Sequence, residues 1–255
     1  FAICTEQQYV DIYSNGKWTS AGQVPEWVQS FWGTAANNLY AHTWRAIFRY
    51  DGTSWQPMTV PKLYEIHSIS GDQEDHLLMC GSKGRIDRFN GVDWTSMDFD
   101  STIEFGSTAV TASGRTFATA YNNRNMVYEV SGNTATRILS YGIERPTLRV
   151  DGDKIFAGGP SPAAWSSFLV AEYADGSWST AAAIGARLSD YWVKDGNIVV
   201  VGGNNTIWQG TADGGTEAPL YPQRGLILNA VQIDDAVYTI GTGAHRYQGG
   251  TWTNL

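Results

Sequence analysis

Short runs in which apolar and polar side chains alternate, or in which apolar residues follow one another, recur along the whole chain between clusters of Gly, Asp, Asn and Ser. A period of two over a few residues, bounded by turn formers, predicts β-strands. Four such runs fall at 28–33, 38–43, 46–50 and 54–58. Ser113-Gly114, Asp151-Gly152, Asp195-Gly196 and Asp234-Asp235 lie between paired runs, where a tight hairpin needs residues that tolerate positive φ. The runs after them alternate or turn wholly apolar, as in Ile198-Val-Val-Val201 and Ala236-Val-Tyr-Thr-Ile240. No window sustains a period of 3.6, so almost no helix is expected.

The strand pattern is itself repeated. Tyr13-Ser-Asn-Gly16-Lys-Trp18 recurs as Tyr50-Asp-Gly52-Thr-Ser-Trp55, Phe89-Asn-Gly91-Val-Asp-Trp94, Tyr173-Ala-Asp-Gly176-Ser-Trp178 and Tyr247-Gln-Gly-Gly250-Thr-Trp252. Two degenerate copies, Tyr128-Glu-Val-Ser-Gly132 and Trp208-Gln-Gly210, lack the final Trp. Trp18 to Trp252 is 234 residues in six intervals, a mean of 39. An aromatic at fixed phase with a period near 40 is the mark of propeller blades. The expected fold is therefore all-β, a single seven-bladed β-propeller of four-stranded antiparallel blades. The blades fall at about 1–20, 26–58, 63–97, 103–138, 144–180, 187–212 and 224–255. Seven periods exceed the 255 residues by about 18, and Ala2-Ile3-Cys4 aligns with the second-strand segment Leu77-Leu78-Met79. The first blade is thus expected to lack its inner strand, either because a short N-terminal segment has been removed or because another chain supplies the strand.

The stretch from Ser30 to His42, continuing through Ile47 to Trp55, resembles the blade repeat of bacterial and phage-borne β-propellers. It is also similar to a shortened Asp-box, the hairpin repeat of sialidase-like propellers. The resemblance implies the fold across the whole chain and leaves function open, since propellers host lectins, hydrolases, lyases and scaffolds. The sialidase-like family uses an arginine triad, an acid and a tyrosine nucleophile. Here the blade-approach arginines fall in consecutive late blades, and seven blades replace that family's six.

Composition narrows the class. With 17 Lys+Arg against 25 Asp+Glu the formal charge is −8, which argues against nucleic acid or an anionic membrane as partner. There is no apolar run of membrane-spanning length. The two cysteines, Cys4 and Cys80, match no metal or redox spacing. His42, His67, His76 and His245 show no metal-ligand spacing either, so neither a metal nor another cofactor is expected. The Asp-Gly-Asp at 151–153 is explained by turn geometry.

One Trp per blade at fixed phase is what packing between sheets requires, so Trp18, Trp55, Trp94, Trp178 and Trp252 are read as structural. The irregular aromatics are the better ligand candidates: Trp27, Tyr64 and Tyr221 at blade approaches, with Trp32, Trp44, Trp165, Tyr191 and Trp192 elsewhere. Counting back 13 residues from an apolar second-strand anchor selects Glu26, Glu65, Glu104 and Arg224, and Glu144, Arg145 and Arg187 fall close to that register. These residues predict a charged ring at one channel mouth, acidic on blades two to four and basic on five to seven. Its arginines suit a carboxylate, and its glutamates suit hydroxyls or acid–base work.

The function expected is a non-catalytic binding module that displays propeller-face loops to a carbohydrate or protein surface ligand. The alternatives are a docking subunit of a virion or surface assembly and a glycosidase-like enzyme. An open first blade would invite strand addition, giving a homo- or hetero-oligomer. An extracellular, cell-surface or virion location accords with these readings.

Overall fold

The computed structural model describes residues 2–4, 8–61, 65–73, 75–120, 126–139, 142–161, 164–185, 188–202, 207–211, 214–217, 227–233, 236–241, 243–249 and 251–255. Among these residues every regular element is a strand. The strands form six four-stranded sheets and one three-stranded sheet, each an antiparallel meander. The second sheet, for example, is Ser30–Ala35, Asn38–His42, Ile47–Tyr50 and Trp55–Pro57, within a few residues of the runs read from sequence.

The repeat count predicts seven blades, whereas the described residues build six four-stranded ones. The first repeat forms a three-stranded sheet, Ala2–Cys4, Tyr9–Ser14 and Lys17–Gln23. Tyr13 faces Trp18 across it as Tyr50 faces Trp55 in the second sheet. Its strands are thus the counterparts of second to fourth strands. The repeated aromatic, glycine and Trp mark only the last hairpin of a sheet, so counting them scores an incomplete sheet as a blade.

The chain divides into two compact units. One contains Phe1–Val110, Gly114–Asn123 and Tyr128–Ile138, which covers the first three sheets and most of the fourth. The other contains Thr111–Ser113, Arg124–Val127 and Leu139–Leu255, with sheets five to seven.

Within the first unit each core lies between successive sheets. Val10 and Ile12 pack with Ala41, Phe48 and Trp55. Tyr40 and Ile47 pack with Ile66, Leu77 and Met79. Leu78, Cys80 and Ile86 pack with Phe105 and Ala118. Neighbouring residues of one strand therefore enter different cores, Tyr40 one and Ala41 another, because side chains alternate across a strand. Both faces of a second strand are covered, which is why those strands read as nearly unbroken apolar runs. Burial also pushes the Cys80 thiol well above the usual range, so it is an inert core residue.

The second unit follows the same plan. Phe156, Phe168 and Val170 pack with Tyr191, Ile198 and Val200, and Val199, Val201 and Ile207 pack with Val237. Tyr191 is 1% exposed, and its hydroxyl shares its single proton between the carbonyls of Thr147 at 2.8 Å and Phe156 at 2.9 Å. Gly158 lies flat against the Tyr191 ring, so that a Cβ there would collide with it. Arg149 stacks over both Tyr191 and Trp192 while bonding Asp190 at 3.0 Å. This tie joins the fifth and sixth sheets.

The repeated Trp has one local geometry throughout. In the pairs Tyr13–Trp18, Tyr50–Trp55, Phe89–Trp94, Tyr173–Trp178 and Tyr247–Trp252 the ring centroids lie 5.0 to 5.2 Å apart. Each pair faces across the last hairpin of its sheet. These tilted cross-strand contacts use the rings for packing.

Candidate functional site

The glutamates expected at the channel mouth stand just ahead of first strands. Within the first unit, Glu26 precedes Ser30–Ala35, Glu65 precedes Ile66–Gln73 and Glu104 precedes Phe105–Val110, and all three are exposed. In the second unit Glu144 is half-buried and Arg145 exposed ahead of Thr147–Asp151, with Arg145 in the left-handed region at φ 48°. Arg187, Arg224, Tyr64 and Tyr221 lie outside the described residues.

The most developed cluster is in the first unit, where the connector before the second sheet meets that sheet's turn at 43–46. Thr43 is 3% exposed and its hydroxyl serves several partners. It donates to Glu26 Oε2 at 2.9 Å and accepts the amides of Arg45 at 3.2 Å and Ala46 at 3.0 Å. The amide of Gln29 donates to the His42 carbonyl at 2.8 Å, so the connector and the turn are pinned at two points. Trp27 follows Glu26, and Trp44 follows Thr43. They are 58% and 51% exposed, and the Glu26–Thr43 and Gln29–His42 bonds join the connector that carries Trp27 to the turn that carries Trp44.

The third sheet borders this cluster. The Ile66 amide donates to the Trp44 carbonyl at 2.9 Å, and the Trp44 ring meets the His67 ring edge-on at 6.5 Å. His67 Nδ1 lies 2.8 Å from the Phe105 carbonyl, which can only accept, so this nitrogen carries the proton. Its Nε2 is 3.8 Å from Glu65 Oε2. Glu65 is itself held by backbone bonding with Ser82, whose amide donates to the Glu65 carbonyl at 3.1 Å.

Beneath Thr43, His42 is 1% exposed. Its Nδ1 is 3.2 Å from the Thr43 carbonyl, and Nε2 has no hydrogen-bond partner. Burial brings its pKa down to about 4 against the lift from the Thr43 carbonyl, with a smaller push from His67. The imidazole is therefore neutral at pH 7.

Nearby, a cleft bounded by Glu65, Cys80, Gly81, Ser82, Arg85 and Asp87 encloses about 10 Å³. That is room for about one water. Among the described residues no group of three or more His, Cys, Asp or Glu is placed to hold a metal ion. What the arrangement offers is two exposed indoles with a carboxylate and the exposed guanidinium of Arg45 beside them. It is chemistry for binding.

The aromatics that break the repeat separate into classes that sequence alone leaves mixed. Trp32 packs on Tyr40 at 5.8 Å, Tyr191 is core and Trp192 lies under Arg149. Among the described residues of this set only Trp27 and Trp44 are exposed large hydrophobics, while Tyr64, Tyr221 and the side chain of Trp165 lie outside the described residues. Thr43 and Arg45 carried no sequence signal, because a Thr at a turn is unremarkable until its hydroxyl is seen to reach Glu26.

Replacing Thr43 by Val keeps the shape and removes the hydroxyl. It is expected to cost on the order of 1–3 kcal/mol by leaving the Arg45 and Ala46 amides unmatched. Urea denaturation measures this, and a cost below about 0.5 kcal/mol would show that the pin is unimportant.

No protein-family model matches the chain, and no curated protein matches it. Solved structures do. A catalytically inactive virginiamycin B lyase from Staphylococcus aureus with quinupristin has a TM-score of 0.73 at 11% identity, over 94% of this chain and 90% of that one. YCF48 bound to D1 peptide has 0.70 at 13% identity, over 97% and 89%. The WD40 β-propeller domain of Doa1 has 0.72 at 10% identity, over 94% and 84%. Likenesses at such low identity establish the fold, a β-propeller, and leave function to the residues.

Proposed function

We propose that the chain is a non-catalytic binding module that displays the loops at the approach to its first strands to a carbohydrate or another surface ligand. The exposure of Trp27 and Trp44 carries this reading. A chain that stacks its repeat tryptophans on neighbouring rings leaves these two more than half in water, on a connector and a turn that are bonded to each other. Large exposed apolar groups held in place mark interaction sites. Glu65 and Glu104 extend the acceptor-rich edge along the next two sheets of the same unit.

Two further features fit this reading. The blade repeat resembles bacterial and phage-borne propellers, which accords with a cell-surface or virion setting and with the three-stranded sheet as the first of seven blades. Among the structural neighbours, YCF48 holds a peptide, which favours a protein ligand as the second reading.

A glycan array together with turnover of labelled glycosides tests the proposal. Retention of a ligand without turnover is expected, weakened in a Trp27→Ala/Trp44→Ala double variant. Hydrolysis of any labelled glycoside would instead make the chain an enzyme.

A further inference from the structure

The two exposed indoles sit in charge-mixed surroundings. Glu26 and Glu65 contribute carboxylates on this edge, while Arg45 and Lys83, both exposed at sheet turns, contribute cations. Such a mixture gives no preference for a charged partner. A polyanion would meet the carboxylates, and a basic segment would meet Arg45 and Lys83.

Size points the same way. A stable protein interface buries about 800 Å² per partner around an apolar centre. Among the described residues the exposed large hydrophobics are only Tyr9, Trp27, Trp44 and Val92, so the described part of this edge offers two indoles. A small ligand with apolar faces and a polar rim matches it better. A pyranose is such a molecule: its C–H face packs on the electron-rich face of an indole, and its hydroxyls both donate and accept.

The polar groups suit that rim. Thr43 takes Glu26 Oε2 and so fixes the carboxylate, whose second oxygen remains an acceptor for a hydroxyl. Arg45 carries a fork of donors on the neighbouring turn residue, held by the bond from its amide to Thr43 Oγ1. The pinned connector and turn limit the ordering that binding must impose, which favours a weakly interacting sugar.

We infer that Trp27 and Trp44 form the stacking platform of a neutral-oligosaccharide site, with Glu26 and Arg45 binding the sugar hydroxyls. The inference rests on the binding-module reading and narrows it to one ligand class and one place. Neither indole is needed for the folded core, so their variants test binding directly.

Isothermal titration with cellohexaose, chitohexaose, maltohexaose and mannohexaose tests the inference, with tetragalacturonate and a lysine-rich peptide as charged probes. At least one neutral hexaose is expected to bind, with Trp27→Ala and Trp44→Ala each weakening it about tenfold at unchanged melting temperature. Val92→Ala, at a site 80% exposed, is expected to leave affinity unchanged. A hexaose bound equally well by both Trp variants would overturn the site and spare the binding-module reading. Binding of only a charged probe, or of no probe at all, would overturn the neutral-sugar site and spare that reading, which the glycan array and a protein ligand still carry.

Discussion

Lowering the pH from about 7 to about 4 is expected to cost this protein roughly 3 kcal/mol of unfolding free energy through His42 alone. In the folded chain the imidazole is buried and stays neutral until about pH 4. In the unfolded chain it takes up a proton near its ordinary 6.5. Between those values the unfolded state binds more protons, so stability is fully present above about 6.5 and is lost as pH falls towards 4. Asn at this position places an amide donor near the Thr43 carbonyl without a titrating group. Urea denaturation from pH 4.5 to 7.5 is expected to show the slope in the parent and a much flatter profile in His42→Asn. An equal slope in both would mean that His42 is not the group responsible. His245, also shifted down by burial, contributes in the same direction, and the variant separates the two.

The second large effect is expected at Tyr191. Removing a fully buried aromatic ring costs about 3–5 kcal/mol, because the packing around it relaxes only in part. Tyr191 lies between the fifth and sixth sheets with Gly158 against its ring, so Tyr191→Ala is placed at the upper end of that range. Tyr191→Phe keeps the ring and removes the donor to two carbonyls, at about 1–2 kcal/mol. Burial holds the hydroxyl protonated far beyond ordinary tyrosine, so its donor role persists at any accessible pH. Equilibrium unfolding of the two variants separates ring from hydroxyl. Equal losses would show that the hydroxyl matters and the ring does not.

His42 and Tyr191 show what sequence leaves open. Tyr191 reads as an irregular aromatic on a par with Trp27, since both break the repeat and both follow a polar residue. Their fates diverge because Tyr191 lies within a first strand covered by the neighbouring sheets, whereas Trp27 lies in a connector and keeps more than half of its surface in water. His42 shows in the sequence only that it lacks metal-ligand spacing, but the last position of a second strand belongs to a face that the neighbouring sheets cover. The position in the blade decides the environment, and residue type does not.

The charged residues divide in the same way. Counting back from second-strand anchors places Glu26, Glu65 and Glu104 ahead of first strands, because blade length is nearly constant. What each carboxylate does once there is set by a partner from elsewhere in the chain: Thr43 for Glu26, and His67 beside Glu65.

The sequence by itself determined the strands, the hairpin turns and the packing role of the repeated Trp. Each of these depends on residues close together in the chain: alternation over a few positions, a glycine with positive φ, and an aromatic facing Trp across one hairpin. The tertiary structure alone decided that His42 is neutral and buried, and that Trp27 and Trp44, among the described aromatics that break the repeat, stay exposed. Those outcomes depend on which sheet covers which side chain. That burial is fixed by contacts between segments tens of residues apart, which local pattern does not encode.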